Sequence, residues 1–121
     1  MPPLDEFEAR LAKVRHRFAG SLESKINDAI AAFADMAGEA PGAHVVVEEN
    51  YRRMHDICGV APTVGFAATG KSAREAEVVL LAPMRAERGL TTAESALFRK
   101  ALDGLLKAAQ MDLQSMYVRG G

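Results

Sequence analysis

Imidazole and thiol chemistry have few carriers in this chain: three histidines and one cysteine. The most informative of them stands in the run His55-Asp56-Ile57-Cys58-Gly59-Val60-Ala61-Pro62-Thr63-Val64-Gly65-Phe66. On a helix that advances about 100° per residue, Val47, Tyr51, Met54 and Cys58 form one apolar stripe, and His55 falls on its shoulder, between core and solvent. Arg52 and Gly59 lie one turn away on that flank. A glycine inside a helix costs roughly 1 kcal/mol relative to alanine, so Gly59 calls for a reason. One reason is access, because the bare flank lets another molecule reach the ring, and Arg52 adds a positive charge near any anion attached there. A neutral imidazole is a nucleophile near pH 7, its ordinary pKa being about 6.5. The alternative is a half-buried histidine with a local hydrogen bond, beside a glycine that only permits close helix packing. His16, in a charged run, and His44, near a helix start, offer no comparable setting.

A second pattern overlaps the first. Gly65-Phe66-Ala67-Ala68-Thr69-Gly70-Lys71-Ser72 satisfies the G-x-x-x-x-G-K-[ST] rule, in which backbone N–H groups cradle phosphates and the lysine neutralises them. Its surroundings do not fit. Pro62 stands where a preceding strand needs a donor. The next apolar run, Val78-Val79-Leu80-Leu81, passes into Ala82-Pro83 instead of ending on a magnesium-binding aspartate. Gly70 and Lys71 are therefore expected on an exposed stretch of helix, with nucleotide binding by Gly65–Ser72 as the rival. Cys58, on the apolar stripe, reads as a small core residue and not as a nucleophile. A single cysteine excludes an internal disulfide and a Cys-only zinc site. Neither a metal nor another cofactor is expected.

These residues need elements to hold them, and the chain is rich in good helix formers. Leu4, Phe7, Leu11, Val14, Phe18, Leu22, Ile26, Ala29, Phe33 and Met36 follow at steps of three and four, which predicts a helix, or two consecutive ones, over 4–37. Gly20-Ser21 marks a candidate break, with Ser21 as cap of the second piece. Gly38-Glu39-Ala40-Pro41-Gly42 is a stop. A helix is expected over 43–60 despite the β-branched Val45-Val46-Val47, and Pro62 with Gly65 ends it. Another follows over 66–81, burying Ala73, Ala76, Val79 and Leu80, and Pro83 stops it. Met84 to Leu90 is a polar connection, Thr91-x-x-Glu94 is a capping box, and the last helix carries Ala93, Leu97, Ala101, Leu102, Leu105, Ala109, Leu113 and Met116 on one stripe. Gly120-Gly121 reads as a frayed end. With no repeat, low-complexity tract or linker, this pattern predicts an all-α, antiparallel up-down four-helix bundle, with room for a short extra N-terminal helix.

The whole composition agrees with one ordinary globular domain: 121 residues, 49% hydrophobic, 26% charged and a net charge of −1. Near-neutrality argues against nucleic-acid or membrane binding driven by overall positive charge. No apolar run approaches the roughly 20 residues of a membrane span, and Met1-Pro2-Pro3-Leu4-Asp5-Glu6 lacks the pattern of a secretion signal. The expectation is a small cytoplasmic domain.

The segment from His55 to Phe66 resembles the signature of histidine-containing phosphotransfer domains, above all the phosphotransfer domain of chemotaxis kinases. In that family glycines follow the phosphorylated histidine at plus four and plus ten, here Gly59 and Gly65; Ile57, Ala61, Thr63 and Phe66 also look like the chemotaxis version. That version places a glutamate 22 residues on, where Glu77 stands, to orient the imidazole. The family is built as a four-helix bundle of about this length. The resemblance implies a phosphocarrier and not a kinase or hydrolase: His55 accepts a phosphoryl group from a receiver-domain aspartyl-phosphate and passes it to another response regulator. Partners would be receiver domains or a hybrid histidine kinase, with Cys58, Gly59 and Gly65 around the phosphoryl group; helix geometry, not the family pattern, adds Arg52 there, and a bundle whose helices bury their own stripes is expected to be a monomer. One departure stands out. The family usually has lysine or arginine at plus three, where this chain has Cys58, so Arg52, Arg53 or Lys71 would have to supply the charge. A receiver-binding adaptor that transfers no phosphate is the alternative.

Overall fold

The computed structural model describes residues 3–118, and side chains from 6 to 116. Four helices carry the chain: α1 Pro3–Ala31, α2 Ala43–Val60, α3 Ala67–Arg85 and α4 Thr92–Val118, with a 3-10 turn at Phe33–Met36 before α2. Among the described residues there is no strand, only an isolated bridge between Ala37 and Leu90. The all-α four-helix architecture predicted from spacing is the one observed.

One core joins the four helices. Phe18, Leu22 and Ile26 of α1 meet Val47, Met54 and Ile57 of α2, Ala73, Ala76 and Leu80 of α3, and Phe98, Leu102 and Leu105 of α4. Each large aliphatic or aromatic side chain removed from water contributes about 1.5–3 kcal/mol, which outweighs the weak helix propensity of the Val45-Val46-Val47 start of α2. Phe18 and Phe66 pack edge to face, ring centroids 5.5 Å apart. The only fully buried polar side chains are Asn50 and Thr69 among the described residues, and both are satisfied. Asn50 donates to Met36 Sδ at 3.2 Å and accepts from Arg53 Nη1.

Several boundaries differ from expectation. Gly20-Ser21 does not break α1; the Ser21 hydroxyl donates back to the Phe18 carbonyl at 3.3 Å, and buried Phe18 and Leu22 anchor the helix on both sides. That helix ends at Ala31, and the rest of the predicted stripe continues as the 3-10 turn that buries Met36. Phe7, at 63% exposed, and Val14 lie outside the core. The reason is length: Arg15 Nε donates to the Val64 carbonyl at 3.0 Å, so the α2–α3 turn meets α1 at residue 15 and the preceding residues project past it. In α4 the buried stripe passes through Phe98 (0% exposed) and leaves Leu97 57% exposed.

Pro83 does not stop α3 but lies inside it, buried. Its ring withdraws only the donor for the Val79 carbonyl, two residues from the helix end. The end itself is a Schellman turn: Glu87 N–H donates to Met84 O at 3.2 Å and Arg88 N–H to Pro83 O at 3.1 Å, with Glu87 at φ 52°. The same device closes the turn after α2, where Gly65 N–H donates to Pro62 O and Phe66 N–H to Ala61 O, and Gly65 takes φ 86°. Thr91 and Glu94 form the predicted capping box, with reciprocal bonds of 2.9 and 3.1 Å. The start of α3 is capped from outside: Thr69 donates both its backbone N–H (2.8 Å) and its hydroxyl (2.7 Å) to Asp112 Oδ2 of α4.

Candidate functional site

The α2–α3 hairpin fixes the register that builds the site. Seven residues after His55, Pro62 meets Gly70, which stands seven residues before Glu77; a Cβ on Gly70 would sit 3.1 Å from the Pro62 ring. Glycine there lets the start of α3 close on the turn. The same register sets His55 of α2 opposite Glu77 of α3, and His55 Nδ1 lies 2.7 Å from Glu77 Oε1. Among the described residues no other hydrogen-bonded pair of side chains bridges the two helices.

The two partners differ in exposure. The His55 side chain is 66% exposed and that of Glu77 only 12%. The carboxylate is therefore held in the wall of the bundle, while the imidazole projects from it. A carboxylate can only accept, so the contact places the ring proton on Nδ1 and leaves the Nε2 lone pair free. The Tyr51 ring, one turn earlier on α2, is stacked on the imidazole at 6.1 Å between centroids and 12° between planes. Two contacts thus fix the orientation of an exposed nucleophile.

The other sequence-predicted residues separate into groups. Gly59 is exposed, and a Cβ built there meets nothing within 4 Å, so it serves no close helix packing and leaves the flank of His55 open. Cys58 is half-buried against the core, as its place on the stripe predicts. Arg52 is turned toward Glu48, whose carboxylate it holds at 2.7 Å. Arg53 is bound to Asn50. Gly65 sits in the turn beyond α2, where its positive φ shapes the chain. His16 and His44 are both exposed.

The nucleotide-binding pattern takes no phosphate-cradling form. Residues 67–72 are α-helix, and Gly70 N–H is spent on the Phe66 carbonyl at 3.0 Å. Lys71 is exposed but Gly70 is buried, so the expectation of an exposed stretch holds for the lysine alone. No group of His, Cys, Asp and Glu able to hold a metal ion occurs among the described residues. No helix there is long and apolar enough to cross a membrane.

Two features of the site go beyond what the spacing predicts. The periodicity puts Tyr51 on the core stripe, yet its position four residues before His55 is also the spacing at which rings meet on a helix. A shallow depression of ≈ 100 Å³ beside the pair, lined by Tyr51, Arg74, Glu77, Val78 and Leu81, depends on the helix register and has no local signal. On the α1 side, a more open groove of ≈ 360 Å³ is lined by Lys25, Glu49, Arg52, Arg53 and Asp56. No protein-family model matches the chain, and neither does any curated protein or solved structure.

Proposed function

We propose that this protein is a histidine phosphotransfer module of a two-component phosphorelay, with His55 as phosphoacceptor and Glu77 as the residue that orients it. The observation that carries the reading is the bridge between an exposed imidazole and a recessed carboxylate at 2.7 Å, midway along a helical hairpin. The sequence signature of His55, Gly59 and Gly65 points the same way, and the bare Gly59 flank supplies the approach that a bulky partner needs.

In this reading the Nε2 lone pair of neutral His55 attacks the phosphorus of an aspartyl-phosphate on a receiver domain. The N–P bond forms as the P–O bond breaks, and its electron pair returns to the aspartate carboxylate. The Nδ1 proton stays on the ring, and Glu77 offsets the positive charge that the phosphorylated imidazole acquires. The reverse step delivers the phosphoryl group to a second receiver. No nucleotide takes part, so the protein is a carrier and not a kinase.

The test is incubation with a receiver domain phosphorylated on its aspartate. An acid-labile, base-stable phosphate is expected on the wild type and absent from His55→Gln, whose helical circular dichroism should be unchanged. Label that persists in His55→Gln, or a wild type that takes none, contradicts the assignment.

A further inference from the structure

A phosphoryl group on Nε2 of His55 carries two negative charges against the one positive charge the ring acquires, so phosphorylation adds net negative charge to a site that already holds the Glu77 carboxylate. Like charges repel near a protein surface, and a cation close to the phosphoryl group offsets that repulsion. Helix α2 supplies none that is free. Cys58 carries no positive charge in any protonation state, Arg52 is held by Glu48 one turn away from His55, and Arg53 is bound to Asn50. Ahead of Glu77, helix α3 supplies two, Lys71 and Arg74, of which Lys71 stands six residues from Glu77 and Arg74 only three. Arg74 shares a stripe with Glu77, Val78 and Leu81 at steps of three and four, and borders the same depression as Tyr51 and Glu77. The register fixed by His55–Glu77 and Pro62–Gly70 sets Arg74 opposite Cys58, three residues from each member of the pair. Arg74 is exposed and makes no hydrogen bond or ion pair with any described residue. A guanidinium not engaged elsewhere is available to a phosphate, which its fork of N–H donors fits in two-point fashion.

We infer that Arg74, reaching across from α3, is the cation that binds the phosphoryl group on His55. The inference rests on the phosphotransfer reading of that histidine, and one experiment separates the two. Phosphoramidate is the probe, since it needs no partner protein. Neutral Nε2 attacks the phosphorus of the zwitterion, the new N–P bond forms, and the old P–N bond breaks with its electron pair to release ammonia. The Nδ1–H remains on the ring.

Labelling and the lifetime of the phosphohistidine after donor removal are followed by ³¹P NMR for wild type, Arg74→Gln, Arg74→Lys, Lys71→Gln, Arg52→Gln and His55→Gln. Arg74→Gln is expected to lower the labelling rate and the phosphohistidine lifetime by about fivefold or more, the scale of one charge-assisted contact. Arg74→Lys should recover most of the loss, Lys71→Gln and Arg52→Gln should stay within about twofold of wild type, and Cys58→Lys combined with Arg74→Gln should restore labelling. Arg74→Gln indistinguishable from wild type, while His55→Gln is unlabelled, overturns the role of Arg74 and leaves the phosphoacceptor standing. An unlabelled wild type overturns both.

Discussion

The behaviour of a single imidazole depends here on two neighbours, one polar and one flat. Glu77 fixes the tautomer and Tyr51 fixes the plane, so the nucleophilic nitrogen faces solvent in one orientation. Glu77→Ala should slow phosphoryl uptake roughly 10–100-fold, by analogy with carboxylates that orient metal-bound histidines, with little change in melting temperature. Stopped-flow or radiolabel kinetics would measure it, and an unchanged rate would show that the bridge is only structural. Gly59→Leu separates stability from access. A Cβ there has open space, so the substitution should stabilise α2 by about 0.5–1 kcal/mol in urea titration while slowing transfer from a receiver domain. At this scale the sequence revealed the shoulder position of His55 and the oddity of Gly59, because both follow from angles on one helix. It revealed Glu77 only through the spacing of a family signature, and Arg74 not at all, since residues on two helices meet through a register that one helix cannot encode.

The helices end by chemistry that can be tested against itself. Gly65 and Glu87 occupy equivalent positions in two Schellman turns, at φ 86° and 52°. A side chain in that conformation costs about 1 kcal/mol. Gly65→Ala should therefore destabilise the protein by about 1 kcal/mol, and Glu87→Gly should stabilise it by a similar amount, both read from thermal or urea unfolding. Glu94 closes the capping box of α4 and also receives Arg88 at 2.7 and 3.1 Å; the hydrogen bonds from that guanidinium lower its pKa to about 2 from an ordinary 4.5. Because the folded state prefers the ionised form, this contribution is fully present above about pH 4.5 and is lost as the pH falls toward 2. Unfolding midpoints between pH 5 and 2 should fall less steeply in Glu94→Gln than in the wild type. Asp112→Ala should cost about 1–3 kcal/mol, since it leaves the buried Thr69 hydroxyl and its N–H without their acceptor. The Thr91–Glu94 box could be read in the chain because its partners are three residues apart. The cap from Asp112 could not, with 43 residues between donor and acceptor. Pro83 is illegible for a related reason: a proline stops a helix by default, and its tolerance here depends on the turn that closes immediately after it.

As a whole, the molecule is a bundle of unequal helices, and that inequality explains which parts of its pattern are legible. The steps of three and four that mark α1 run on through Phe7 and Val14, but the α2–α3 hairpin is too short to cover them. Periodicity states that a face is apolar; the lengths of the other helices decide how much of it is buried. The same arrangement leaves the middle of the α2–α3 hairpin open to solvent, with its core side sealed by Met54, Ile57, Ala73 and Ala76. A rigid support with one exposed ring on its outer face is what the proposed carrier role requires. The most direct test of that account is to mix the full chain with a receiver domain phosphorylated on its aspartate and to locate the phosphate on this protein by mass spectrometry under alkaline conditions. The account predicts a single phosphohistidine at residue 55. Phosphate found at another residue, or none on a folded wild type, would contradict it.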